Sequence, residues 1–344
     1  MTVFSGSDFK AKHGTTFYKV LADNLTHNKF IYQLGLNIDT NEFNPNGECQ
    51  TGGLYFSNIE NLLRYIGYGP KIGIIKILDN SLVYEEEHKF KADRFILEQI
   101  IDDENEIFEL YKLSRENGCS WDEETCRYAA SNGHLEVLKW ARENGCPWDK
   151  STCSNAAFNG HLEVLKWARE NGCHWDESTC SNAAKNGHFE VLKWARENGC
   201  PWDEDTCRNA AENGHLEVLK WARENGCPWD KWTCAWAAMD GHLEVLKWAR
   251  ENGCPWDDST CSYAAMNGHL EVLKWARENG CPWDKWTCAW AAENGHFEVL
   301  KWARNNGCSW NKLTCCYAAR NGYFEILKWA QKNNCKCSGE YHKN

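Results

Sequence analysis

The sequence predicts a mainly α protein: a helical solenoid of eight helix-turn-helix repeats plus an N-terminal cap, preceded by a small α+β domain. Three observations predict it. A glycine returns every 27 residues, at Gly118, Gly145, Gly172, Gly199, Gly226, Gly253, Gly280 and Gly307. Each period holds two short segments with helical start and stop signals. The first 90 residues show no such period and carry short β-branched and aromatic runs instead. A fixed period of about 20–50 residues marks stacked units, because one unit alone cannot bury its apolar face. A stack offers a long surface in place of a central cavity. Its default use is to bind another macromolecule.

The α+β domain spans residues 1–90. Phe17–Leu21, Phe30–Leu34, Leu54–Phe56 and Ile72–Ile77 read as strands, and Ile59–Ile66 as a helix. Gly52-Gly53, after Cys49-Gln-Thr, reads as a tight turn before a strand; a pocket lining is the alternative. Residues 91–118 read as a degenerate capping repeat. Phe108 to Gly118 aligns with Leu135 to Gly145 one period later, and Phe95–Ile101 is an apolar run read as the cap's first helix. Residues 119–334 hold the eight repeats, and 335–344 form a C-terminal tail.

The repeat around Gly214 shows the logic. Asp203 is placed to cap a helix, and Glu204 and Asp205 suit the positive end of its dipole. Trp202 and Cys207 occupy the two positions of a hydrophobic staple. Ala210 and Ala211 let a second helix come close, and Gly214 ends the first helix in a left-handed conformation. The second helix carries Leu216, Val218, Leu219, Trp221 and Ala222, with Lys220 and Glu224 spaced for an i,i+4 pair. Gly226 and Pro228 stop it.

Ala210-Ala211-x-x-Gly214-His215-Leu216-Glu217-Val218-Leu219-Lys220 resembles the core of an ankyrin repeat. The usual ankyrin repeat has about 33 residues and a Thr-Pro-Leu-His signature. Here the signature's Pro and His are absent. The missing residues are those that form the family's projecting finger, which implies trimmed or absent fingers. Joined to a short first domain, the repeats resemble ankyrin proteins of giant DNA viruses, a group without an established activity.

Composition narrows the function. The net charge of −11, without a long basic run, argues against nucleic-acid and anionic-membrane partners. No apolar stretch reaches the length of a membrane span, and Met1–Lys12 lacks the apolar core of a signal peptide. The expected location is therefore cytoplasmic (a host cell's, if the protein is viral), and the expected state is a monomer.

Sixteen of the twenty cysteines sit at two repeat positions, one series from Cys119 to Cys308, the other from Cys126 to Cys315. Equivalent positions in adjacent repeats lie about 8–10 Å apart, too far for a disulfide, so free thiols are expected. Seven repeats carry a histidine after the glycine, His134 to His296. Cys and His are zinc ligands, but a Cys-x6-Cys spacing is not that of a zinc site. Structural roles are favoured, and neither metal nor cofactor is expected.

The second helix hardly varies between repeats, whereas the first varies at three positions. They begin Glu124, Tyr128 and Ser131, and spacings of four and three put them on one helix face. The ankyrin resemblance implies that this is the concave side. Repeats five to eight place Trp232, Trp236, Met239, Tyr263, Met266, Trp286, Trp290 and Tyr317 there, residue types frequent at interface hot spots. The competing reading is packing between repeats. The function predicted is a non-enzymatic protein-binding scaffold, with a protein partner, a host's if the protein is viral. The alternative is an enzyme with its chemistry in residues 1–90 and the repeats choosing the substrate. Gly-Leu-Tyr before a helix resembles ADP-ribosyltransferase-like domains, and Tyr55 fills one place of their His-Tyr-Glu set; no His or Glu falls in phase.

Overall fold

A computed structural model describes residues 3–45 and 50–336. They divide into two compact units, Met1–His174 and Trp175–Asn344.

The first unit opens with two antiparallel four-stranded sheets. One orders β1 (Val3–Ser5), β8 (Leu82–Glu85), β9 (Phe90–Ala92) and β6 (Leu54–Phe56). The other orders β2 (Phe17–Leu21), β7 (Lys71–Lys76), β10 (Arg94–Ile101) and β5 (Gly35–Ile38). β3 (Thr26–His27) and β4 (Phe30–Ile31) form a separate hairpin. Between the sheets lies an apolar core that includes Phe9, Phe17, Phe56, Phe90 and Phe95. Phe9 sits 4.8 Å from Phe90 and 5.0 Å from Phe17, ring centre to ring centre.

The strand and helix expectations hold for Phe17–Leu21 and Leu54–Phe56, and closely for Ile72–Ile77. Phe30–Leu34 shortens to Phe30–Ile31, and Ile59–Ile66 becomes a 3-10 helix over Ile59–Tyr68. Phe95–Ile101 is a correction. It is strand, not helix, and it pairs with β7 on one side and β5 on the other. A bulge between Leu97 and Gln99 adds a residue to the strand. Leu97 and Ile100, three apart, therefore both face the core, which is helical spacing. The sheet runs through Ile101, so a domain boundary at 90 cuts it. Of the proposed cap, only Glu104–Glu116 is helical.

The 3-10 helix does the sealing. Leu63 N donates to Ser114 Oγ at 3.1 Å, Arg64 donates to Ser120 Oγ at 2.8 Å, and Asn132 Nδ2 donates to the Ile66 carbonyl at 2.9 Å. The first domain thereby covers the open end of the repeats that follow it in the same unit.

The second unit repeats one motif. Its first helices span Glu177–Lys185, Glu204–Glu212, Lys231–Met239, Asp258–Met266, Lys285–Glu293 and Lys312–Arg320, and each packs on the next. Each second helix packs on the first helix of its own repeat. Asp203 caps as expected, accepting from Asp205 N at 3.1 Å. Gly214 has φ +76°, which a side chain would strain, and the ring of His242 fills the place a Cβ would take. Val218, Leu219 and Ala222 are buried, whereas Leu216 and Trp221 are only half-buried. Lys220 pairs with Glu217 at 2.9 Å, three residues back, rather than with Glu224.

Trp202 faces Trp221 edge-on at 5.9 Å, and Arg223 lies 4.2 Å over Trp229 of the next repeat. The same Trp-Trp contact recurs down the unit, at Trp229–Trp248, Trp256–Trp275 and Trp283–Trp302. Histidines tie repeats together: His215 Nε2 lies 3.1 Å from the Lys185 carbonyl, thirty residues earlier.

The cysteines bring a second correction. Cys315 is joined to Cys335, with their Cα atoms 6.4 Å apart, so the thiols are not all free. The contact that forms lies inside one repeat, between the first helix and the turn that leaves the second.

Candidate functional site

The face singled out in the sequence is one continuous surface of the second unit. Trp232, Trp236, Met239, Tyr263, Met266, Trp286, Trp290 and Tyr317 are all half-buried, neither enclosed nor fully exposed. Their neighbours at the next helical positions, Cys234, Ala235, Ala237 and Ala238, have no exposure, so the backbone that carries the rings is fixed by packing.

The rings stack across repeat boundaries. Trp232 lies 6.2 Å from Tyr263 with planes 28° apart, and Tyr263 lies 5.5 Å from Trp290 at 20°. Trp286 adds a tilted contact with Trp290 at 6.0 Å. Part of each ring is therefore used between repeats, as the competing reading expected, and part remains open. Trp232, Trp236 and Tyr263 also line a cleft of about 410 Å³ with Asp205, Arg208 and Asn209. Its polar rim is built by Arg208. That side chain donates to Asp230 through Nε at 3.1 Å and Nη2 at 2.5 Å, and to Asp205 at 2.6 Å. Asp230 caps the helix bearing Trp232, so the rim and the aromatic floor share one anchor. The Arg208 hydrogen bond, opposed by burial, holds Asp230 below its ordinary carboxylate pKa.

Position Arg208 was missed in the sequence. Its series is Arg127, Ser154, Ser181, Arg208, Ala235, Ser262, Ala289 and Cys316. It takes four residue types, more than the three of the series that begins at Tyr128, and repeat comparison could have found it. Alanine falls there in both repeats that carry paired tryptophans.

A second candidate lies in the first domain. Tyr18, Lys19, His27, Tyr55, Ser57, Tyr65, Tyr68 and Lys89 are among the residues around a cavity of about 40 Å³. Lys19 is 4% exposed; its Nζ donates to the Tyr55 carbonyl at 2.8 Å, lies 3.1 Å from His27 Nδ1, and sits 4.6 Å over the Tyr32 ring. Burial lowers the Lys19 pKa to about 7. Burial, then the charges of Lys19 and Lys89, lowers that of His27 to about 4. Gly52 and Gly53 lie in a bend, with Gly53 N donating to Asp39 Oδ2 at 2.6 Å, and Gly53 also lines a cleft of about 590 Å³. A Cβ on Gly52 would meet the Glu42 carbonyl at 2.3 Å. Cys49 lies outside the described residues. Tyr55 and His27 thus share a cavity, but no glutamate lines it.

The fold is an ankyrin-repeat helical solenoid preceded by a region of antiparallel sheets. The family described as ankyrin repeats (many copies) matches residues 126–169, 153–196, 234–277, 261–303 and 288–331. The human ASB11 ankyrin repeat domain, a crystal structure, is similar at 19% identity with a TM-score of 0.39. That match covers 46% of this chain and 84% of the other. Ankyrin repeats indicate a protein–protein interaction scaffold, and the repeat fold is typically non-enzymatic. Among the described residues, no helix is long and apolar enough to cross a membrane.

Proposed function

We propose that the protein is a non-enzymatic scaffold that binds a protein partner through the first-helix, concave face of repeats five to eight. The observation that carries this is the half-open ring stack Trp232–Tyr263–Trp290, beside a cleft with a polar rim. Half-buried aromatics on a rigid helix row lose little entropy on binding, and such rings dominate interface energies. Met239, Met266, Trp236, Trp286 and Tyr317 extend the surface. Nucleic acid and membrane are disfavoured by the −11 charge, and the protein acts as a cytoplasmic monomer, in a host cell if it is viral. Proximity labelling with the full chain, compared with a Trp236→Ser, Trp290→Ser double variant, tests this. Partners labelled by the full chain should drop out with the variant; an unchanged set removes the face.

The Lys19 cluster favours a second reading, with chemistry in the first domain and substrate choice by the repeats. A buried lysine with a pKa near neutrality can serve as a base or a nucleophile. Borohydride trapping of an aldehyde probe at Lys19, absent in Lys19→Met, would support it. An unlabelled Lys19 would count against it.

A further inference from the structure

Each repeat holds a pair of buried cysteines twenty residues apart: one in the first helix, one in the turn after the second. The pairs are Cys126 and Cys146, Cys153 and Cys173, and so on to Cys315 and Cys335. The second member sits in the same place every time. The sulfurs of Cys146, Cys173, Cys200, Cys227, Cys254, Cys281, Cys308 and Cys335 lie 3.2 to 3.4 Å from the carbonyl of the residue that caps their repeat's first helix. That carbonyl belongs to Asp122, Asp149, Asp176, Asp203, Asp230, Asp257, Asp284 or Asn311. The first-helix member is always buried in the same helix position.

One pair shows that the backbone already suits a covalent link. Cys315 and Cys335 are joined at a Cα separation of 6.4 Å, inside the range of about 4.4–6.8 Å that disulfides use. Cys335 keeps the carbonyl contact that the second cysteine makes in each of the other seven pairs. Within the other pairs the two thiols reach each other by hydrogen bond. In Cys207, for example, that bond and then burial push the thiol up. The same kind of bond lowers the second thiol at Cys146, Cys173 and Cys308, so those pairs set a thiol closer to ionisation beside a protonated one.

We propose that the eight pairs are disulfide-forming modification sites, each closing one repeat on itself when hydrogen peroxide is present. Two S–H bonds break and one S–S bond forms. The two thiols lose two electrons and two protons; the peroxide O–O bond accepts them and leaves as two waters. The last repeat oxidises first, since Cys335 is 5% exposed while its counterparts in earlier repeats are fully buried. Cys119 falls outside the pairing: Gln99 stands twenty residues before it.

The test uses the full chain, reduced and then treated with hydrogen peroxide. Remaining thiols are alkylated in denaturant, and peptides are read by mass spectrometry. Thiols should vanish in twos, every linkage should join residues twenty apart, Cys119 should stay alkylated, and the melting temperature should rise. Cys234→Ser should leave Cys254 alkylatable and reduce that rise, while Cys119→Ser should change neither. Linkages between repeats, sulfinic or sulfonic acids in place of disulfides, or pairs that stay reduced while folded would overturn the proposal.

Discussion

Tyr263 stacks on Trp290 of the following repeat at 5.5 Å, with the two rings 20° from parallel. The contact bridges two first helices, and the outer part of each ring stays open. Offset aromatic pairs contribute about 0.5–1.5 kcal/mol beyond their buried area. Trp290→Ser is therefore expected to lower stability by roughly 1–2 kcal/mol. If the face binds a partner, affinity should fall by about 2 kcal/mol or more. Denaturant melts and a titration with the captured partner read the two quantities separately. A variant that unfolds outright assigns the ring to the core.

The second helix gives the contrast. Leu219 has no exposure, and Leu219→Ala should cost about 2–5 kcal/mol by cavity formation. Trp221 is half-buried and held edge-on by Trp202 and Phe189, at 5.9 and 5.7 Å. Trp221→Ala should then cost less than the range of about 3–5 kcal/mol typical of enclosed aromatic rings. Equal losses for the two variants in urea unfolding would show that the tryptophan is enclosed after all.

His134 should make the first unit sensitive to acid. It is 5% exposed, and unlike His215 its Nε2 is buried with no hydrogen-bond partner in the structure. No first helix precedes its repeat to supply the carbonyl. Burial, then the His161 charge, lowers its pKa from the ordinary 6.5 to about 4. Between those values the unfolded chain binds the proton and the folded chain does not, so stability falls as pH drops from 6.5 to 4. The loss is on the order of 3 kcal/mol, complete below the lower value. His134→Gln should flatten that slope in melts taken across the window. An unchanged slope would assign the acid sensitivity elsewhere.

Removing residues 308–344 should bare the apolar flank of the first helix Lys285–Glu293, which packs on Lys312–Arg320. Terminal repeats keep a solenoid soluble. The truncated chain is expected to aggregate or melt lower by light scattering and calorimetry. One as soluble and stable as the full chain would contradict a stack stabilised by its neighbours.

Much of the repeat was legible because its signals are local. Asp203 before a helical run and Gly214 after it act through the backbone within one turn, so spacing alone places them. The variable first-helix face was legible as well, because eight copies in one chain separate positions that packing restricts from positions it does not. Phe95–Ile101 was not legible. A bulge gives a strand the spacing of a helix, and only its pairing with β7 and β5 distinguishes the two. His27 and Tyr55 were separated by 28 positions until folding put both beside Lys19.

By itself the sequence determined the 27-residue unit, its two helices, their caps and the stacking of one unit on the next. These follow from hydrogen bonds and apolar spacing within a single turn or repeat. The tertiary structure alone decided which sulfur meets which, how far each ring is covered, and what seals the first repeat. Each of those depends on residues far apart in the chain arriving at one place, and local spacing carries no record of that distance.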